Sequence, residues 1–257
     1  MAGLKFDITG DNGNMLSALE GVQNGVKQTQ KVVEQSGSGI EEMFGKMQSA
    51  ATAVVGAFSA QQFASKVLSV RGEFQQLEVA FSTMLGSASD ANALMDQLVK
   101  TAATTPFDLQ GVANGAKQLL AYGIEADKVN ATIVRLGDIA AGLSIPLGDL
   151  VYLYGTTMVK GRMFTQDLRQ FQGRGVPIAE ELAKQFGVAK EKVGELVTAG
   201  KVGSEEFTKA IAAMTSEGGK FAGLMEKQSH TISGQISNIE DAIGNMFNEI
   251  GKQNEGL

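Results

Sequence analysis

At 257 residues, with a net charge of −6 and a pI of about 5.0, the chain can bury a sizeable core but carries no field that would attract nucleic acid. It has no cysteine, which excludes disulfides, thiolate nucleophiles and Cys-containing metal sites, and fits a reducing cytosol without requiring one. With 13 Phe, 3 Tyr and no Trp, the core falls to Leu, Ile, Val, Met and Ala; three prolines and 32 glycines then read as many helices punctuated by turns, an all-α chain.

The amino terminus has no basic stretch followed by an apolar run, so no signal peptide is expected. The most apolar stretch, Ala50 to Ala60, falls well short of the roughly 20 residues of a membrane-spanning helix, and a soluble chain is expected. Leu4, Phe6 and Ile8 alternate as in a short strand. Beyond a cap at Asp11 or Asn12, the residues Met15, Leu19, Val22, Val26, Thr29 and Val33 recur at the heptad period. The Gly/Ser break from Gln35 to Gly39 closes this first region, residues 1–39.

Residues 40–100 read as long heptad helices. One run takes Ile40, Phe44, Met47, Ala51, Val54 and Phe58; after a one-residue slip another takes Phe63, Val67, Val70, Phe74, Leu77, Phe81 and Met84. A coiled coil between chains and a bundle within one chain both fit this period.

From 101 to 219 the helices shorten into a globular module. Asp108 caps a helix through Leu109, Val112, Ala116 and Leu119 that stops at Gly123. A second runs from Val129 to Ala140 with Gly142 near its end, and Pro146 starts a third that ends at Gly161. Thr165 caps a short helix through Leu168 and Phe171. Two more stop at Gly187 and Gly200, and Ser204 caps the last before Gly218 and Gly219. Residues 220–257 then carry a heptad run through Ile232, Ile236, Ile239, Ile243, Met246 and Ile250. It reaches the chain's end, so the sequence is expected to continue in a longer protein.

Catalytic chemistry finds little to build on. His230 is the single histidine, at a helix junction, and a structural role is expected for it. The acid pairs Glu180-Glu181, Glu205-Glu206 and Glu240-Asp241 are adjacent on helices and point about 100° apart, as solvated charges do. Gly194 to Lys201 is no phosphate loop, because Val202 stands where Ser or Thr is required. No catalytic residue, metal ligand or cofactor is expected. One cluster breaks the acidic pattern: Lys160, Arg162, Arg169 and Arg174 share fifteen residues with a single acid, Asp167. They read as an exposed basic face or as a docking surface for an acidic partner, with only weak, salt-sensitive attraction for DNA.

An ordered series of short blocks resembles the amino-terminal domain of phage and prophage tail tape measure proteins. It includes Phe74 to Glu78, Ser87 to Leu94, Ala103 to Leu109, Leu119 to Gly123 and Leu136 to Ala141. It continues with Lys160 to Arg162, Asp167 to Pro177, Gly200 to Val202, Glu206-Phe207, Gly219 to Met225 and Thr231 to Gly234, covering about residues 73 to 250. The resemblance implies a non-enzymatic structural protein that occupies the tail-tube lumen, helps set tail length and nucleates tube polymerisation. Implied partners are tail-tube, tail-tip and assembly-chaperone proteins and further copies of the chain, first in the host cytoplasm and then in the virion tail. Helix suits a ruler because its length grows by about 1.5 Å per residue. The alternative is a helical module that docks on a tail-tip or chaperone partner without itself setting length. A part in a cell-wall hydrolase is disfavoured by the missing chemistry.

Overall fold

A computed structural model describes residues 60–231 and, near the carboxyl end, residues 241, 243–245, 247–249 and 251–252. The strand expected at residues 4–8, the first two heptad runs, Ile232, Ile236 and Ile239 lie outside them. The described residues are all-α, with ten α-helices, one 3-10 turn and no strand. No helix among them is long and apolar enough to cross a membrane. The chain divides into two compact units, one of Met1–Val79 with Ile239–Leu257 and the other of Ala80–Asn238; the boundary falls within α1, Ala60–Leu85.

In the first unit α1 buries Val67, Val70, Phe74 and Leu77. The burial of Phe63 lies outside the described residues. Arg71 lies beside the apolar stripe. It is 9% exposed, and its two Nη atoms each donate to one carboxylate oxygen of Glu78 at 3.0 Å. Nη1 also donates to Asn248 Oδ1 at 3.2 Å, and a Cβ on Gly251 would lie 2.6 Å from Arg71 Cβ. The carboxyl-terminal segment therefore lies against α1 of its own chain. Phe247 is buried there and Ile243 half-buried. The Glu78 carboxylate and the Asn248 amide oxygen offset the cost of burying this guanidinium.

The second unit begins with the end of α1. Phe81 is buried, but Met84, the last residue of the expected seam, is exposed. Then come α2 (Ala88–Ala103), α3 (Leu109–Ala121), α4 (Ala126–Leu143) and α5 (Leu147–Val159). They are followed by α6 (Thr165–Gly173), α7 (Ile178–Phe186), the 3-10 turn Lys190–Lys192, α8 (Val193–Thr198), α9 (Ser204–Thr215) and α10 (Leu224–Ser229). Each of the seven helices expected between residues 101 and 219 is present as α3 to α9. Asp108 caps α3 by accepting the N–H of Gly111 at 2.5 Å, and α7 ends at Gly187. Central in this unit is α4, which packs against α2, α3, α5, α9 and α10. Beside it, Phe207 joins Tyr154 and Phe171, with 5.4 Å between ring centroids in each pair.

Two helix starts correct the sequence reading. Thr165 and Ser204 are first helical residues, not caps; the caps are Phe164 and Gly203. Neither can accept a bond through a side chain, so an acid three residues on reaches back instead. Asp167 accepts the N–H of Phe164 at 2.9 Å, and Glu206 that of Gly203 at 3.0 Å. Thr165 spends its hydroxyl on Thr198, at 3.3 Å.

Candidate functional site

The block Leu136 to Ala141 is buried at every residue. A helix turns about 100° per residue, so an unbroken buried stretch of this kind is surrounded rather than merely striped. One side is closed by the block Gly219 to Met225 and the rest of α10. Asp138 accepts the N–H of Met225 on Oδ1 at 2.9 Å and that of Gly223 on Oδ2 at 3.3 Å. Gly223 precedes the first turn of α10 and Met225 lies in it, so Asp138 supplies from α4 the cap that α10 lacks locally. Burial pushes the Asp138 carboxyl above its ordinary range, and the two N–H bonds pull it part of the way back.

Space beside Asp138 comes from two missing side chains. A Cβ on Gly137 would lie 1.9 Å from Met225 Sδ, and one on Gly142 would lie 2.5 Å from the Phe221 ring. At the far end Gln228 Nε2 donates to the Ala141 carbonyl at 2.8 Å. The block's small residues and lone acid are thus the floor on which residues 219–229 lie.

Two further blocks meet where α5 and α8 end. Met163 N–H donates to the Val202 carbonyl at 2.9 Å and Ser204 N–H to that of Gly161 at 3.1 Å, framing an antiparallel bridge between Arg162 and Gly203. Extended chain alternates its sides. Met163 and Val202 are fully buried, while Arg162, Phe164 and Lys201 face out. The register sets Lys201 across from Phe164, whose ring is 40% exposed. Arg162 Cζ lies 4.5 Å from that ring's centroid and Lys160 Nζ 5.8 Å. The Arg162 guanidinium also crosses Gly200, where a Cβ would meet Nη1 at 2.5 Å and φ is +70°. Only glycine meets both demands.

The four cations singled out in the sequence are divided between two states. Lys160 Nζ bonds to the buried Asp167 at 2.7 Å, and Arg174 Nε to Asp149 at 3.3 Å. Arg162 and Arg169 are exposed and make no ion pair among the described residues, and neither does Lys201, which falls outside that group of four. The acids of the adjacent pairs are engaged on the surface. Glu180 binds Lys190, Glu181 binds Lys184 and Glu205 binds Lys209, and the lysine bonds hold Glu180 and Glu205 below the usual carboxylate range. Of the third pair, Glu240 lies outside the described residues. His230 is exposed at the end of α10, and no group of His, Asp or Glu among the described residues could hold a metal ion.

Neither the curated proteins nor the solved structures contain a match to the chain. The family model described as Tape measure protein, however, matches residues 65–252. Proteins of that family are structural components of the phage tail with a role in determining its length. The match takes in most of α1, all of α2 to α10 and the carboxyl-terminal segment packed on α1, well over half of the sequence. The chain belongs to the tape measure protein family.

Proposed function

We propose that the chain occupies the lumen of the growing tail tube, helps set tail length and nucleates tube polymerisation. In this reading the compact second unit anchors assembly against tail-tube, tail-tip or chaperone proteins, and the heptad helices supply reach. The observation that carries it is the span of the family match, which falls on a folded unit of short capped helices as well as on α1. A ruler alone would need helical length but no such unit. Lys160, Arg162, Arg169 and Arg174 are the proposed docking cations, further copies of the chain lie beside it in the tail, and assembly begins in the host cytoplasm. No step of this role calls for catalysis.

Electron micrographs of tails test it. Deleting multiples of seven residues from the Met15 to Val33 run should shorten tails by about 10.5 Å per heptad and keep the apolar seam in register. Leu136→Asp should abolish tails, because it buries an unpaired carboxylate at the centre of the second unit. Heptad deletions that leave tail length unchanged, with Leu136→Asp still abolishing tails, would favour the docking module that sets no length. If Leu136→Asp merely shortens tails or leaves them normal, the anchoring role is wrong.

A further inference from the structure

We infer that the corner built from Arg162, Phe164 and Lys201 is the docking point for an acidic protein segment that carries an apolar side chain to cover the Phe164 ring. This rests on the proposed role of the second unit as an anchor and names the part of its surface that makes the contact.

The fold leaves one face of this corner unused. Main-chain bonds tie residues 161–163 to 202–204, and Met163 and Val202 fill the core beneath. Those contacts account for one side of the two extended segments. The other side presents an exposed phenylalanine flanked by cations. Two of the nearby cations are already neutralised, Lys160 by Asp167 and Arg174 by Asp149. Arg162 and Lys201 are not. Within a chain of net charge −6, this leaves a local excess of positive charge around an apolar centre.

Arg162 is well placed to take part. Its guanidinium lies over the Phe164 ring and passes Gly200, where no side chain obstructs it. A planar guanidinium held in place binds a carboxylate through two parallel bonds. An exposed aromatic ring beside it is the kind of anchor that concentrates binding energy at interfaces. Duplex DNA fits poorly: two unpaired cations give few phosphate contacts, and its stacked bases cannot cover the ring. Single-stranded nucleic acid could stack there, and the experiment separates it.

The test uses the intact phage and the purified full chain. Arg162→Glu with Lys201→Glu reverses the local charge on exposed side chains. It should leave helix content and melting temperature unchanged and lower the yield of infectious particles at least about tenfold, through like-charge repulsion against the acidic segment. Phe164→Ala should act in the same direction more weakly, and Lys184→Ala, at an exposed surface pair outside the docking cations, should leave the yield unchanged. Revertants of the double variant should carry acidic-to-basic or acidic-to-neutral changes in another tail protein. Normal yields from the double variant, or revertants confined to this chain, overturn the proposal. So does a yield lost only at DNA delivery, accompanied by lost binding of a labelled single-stranded oligonucleotide. Leu136→Asp run in parallel separates the two ideas: if it abolishes tails while the charge reversal does nothing, the docking point is wrong and the anchoring role stands.

Discussion

Helix α1 presents one stripe for burial, Val67, Val70, Phe74, Leu77 and Phe81, and leaves Leu68, Val79 and Met84 in the open. Helix α4 has no open side between Leu136 and Ala141. A striped helix tolerates any polar residue off its seam, and its single buried cation, Arg71, lies beside the stripe with Glu78 and Asn248 to meet it. A surrounded helix tolerates only what its neighbours leave room for. The block Leu-Gly-Asp-Ile-Ala-Ala is therefore a list of spatial allowances: small residues where α10 presses in, and one acid where α10 needs a cap.

One substitution made at two places separates the two helices most strongly. Gly137→Ala sets a methyl 1.9 Å from Met225 Sδ, in the middle of a side chain that has nowhere to retreat, and should destabilise by about 1–3 kcal/mol. Gly72→Ala, in the interior of α1, meets nothing within 4 Å and should stabilise by about 1 kcal/mol through helix propensity. Urea titration of the two variants reads the signs directly. Equal signs would mean that α4 is not surrounded as described.

Asp138→Asn probes the cap that α4 lends to α10. The carboxylate offers two acceptors, and the amide offers one acceptor and turns a donor toward an N–H. The loss should be about 1–2 kcal/mol at neutral pH. The pH profile identifies the cause. Because burial raises the folded-state titration of Asp138 above the ordinary 3.8, the folded chain keeps a proton that the unfolded chain has lost just above that pH. Stability from this group therefore falls as pH rises from about 4 and levels once both states are ionised. Glu180 and Glu205 act in the opposite sense, since their lowered titration gives a contribution that is lost as pH falls. Subtracting the Asp138→Asn profile from that of the parent chain removes them. A difference that stays flat as pH rises from about 4 would show that Asp138 is not the buried cap described.

The sequence made α3 to α9 readable because their ends are written in local signals, such as Asp108 ahead of a helix and Gly187 after one. The stripe on α1 was readable for a similar reason, since burial on one face imposes a period. The two misread starts had a signal too: counting three residues back from Asp167 and Glu206 finds Phe164 and Gly203. No such signal exists for Asp138, whose partner Gly223 stands 85 residues away. A helix buried on all sides has no period to detect. The corner at Arg162 was half visible. Its charge stood out, but the sorting of four cations into paired and unpaired depends on Asp149 and Asp167, and Lys201 joins it only through the pairing of two distant loops.

The smallest expected effect lies at the end of the surrounded helix. Gly142 is placed like a stop, yet α4 runs on to Leu143 and ends at Ser144, with φ 54° and ψ 43°. Ser144 is the only non-glycine residue with positive φ among those described. Gly142 is spent on another need, since Phe221 occupies the volume a side chain would take there. The left-handed turn then falls to a serine, at a strain of about 1–2 kcal/mol for an L-residue. Glycine at 144 would relieve that strain but add freedom to the unfolded chain, an offset of about 0.5–1 kcal/mol. Ser144 is exposed, so the exchange gives up no packing. Ser144→Gly should therefore stabilise by up to about 1 kcal/mol, read as a higher urea midpoint with an unchanged slope. A lower midpoint would mean that the serine contributes more to ending α4 than its strain removes, and that the burial of α4 extends past the turn.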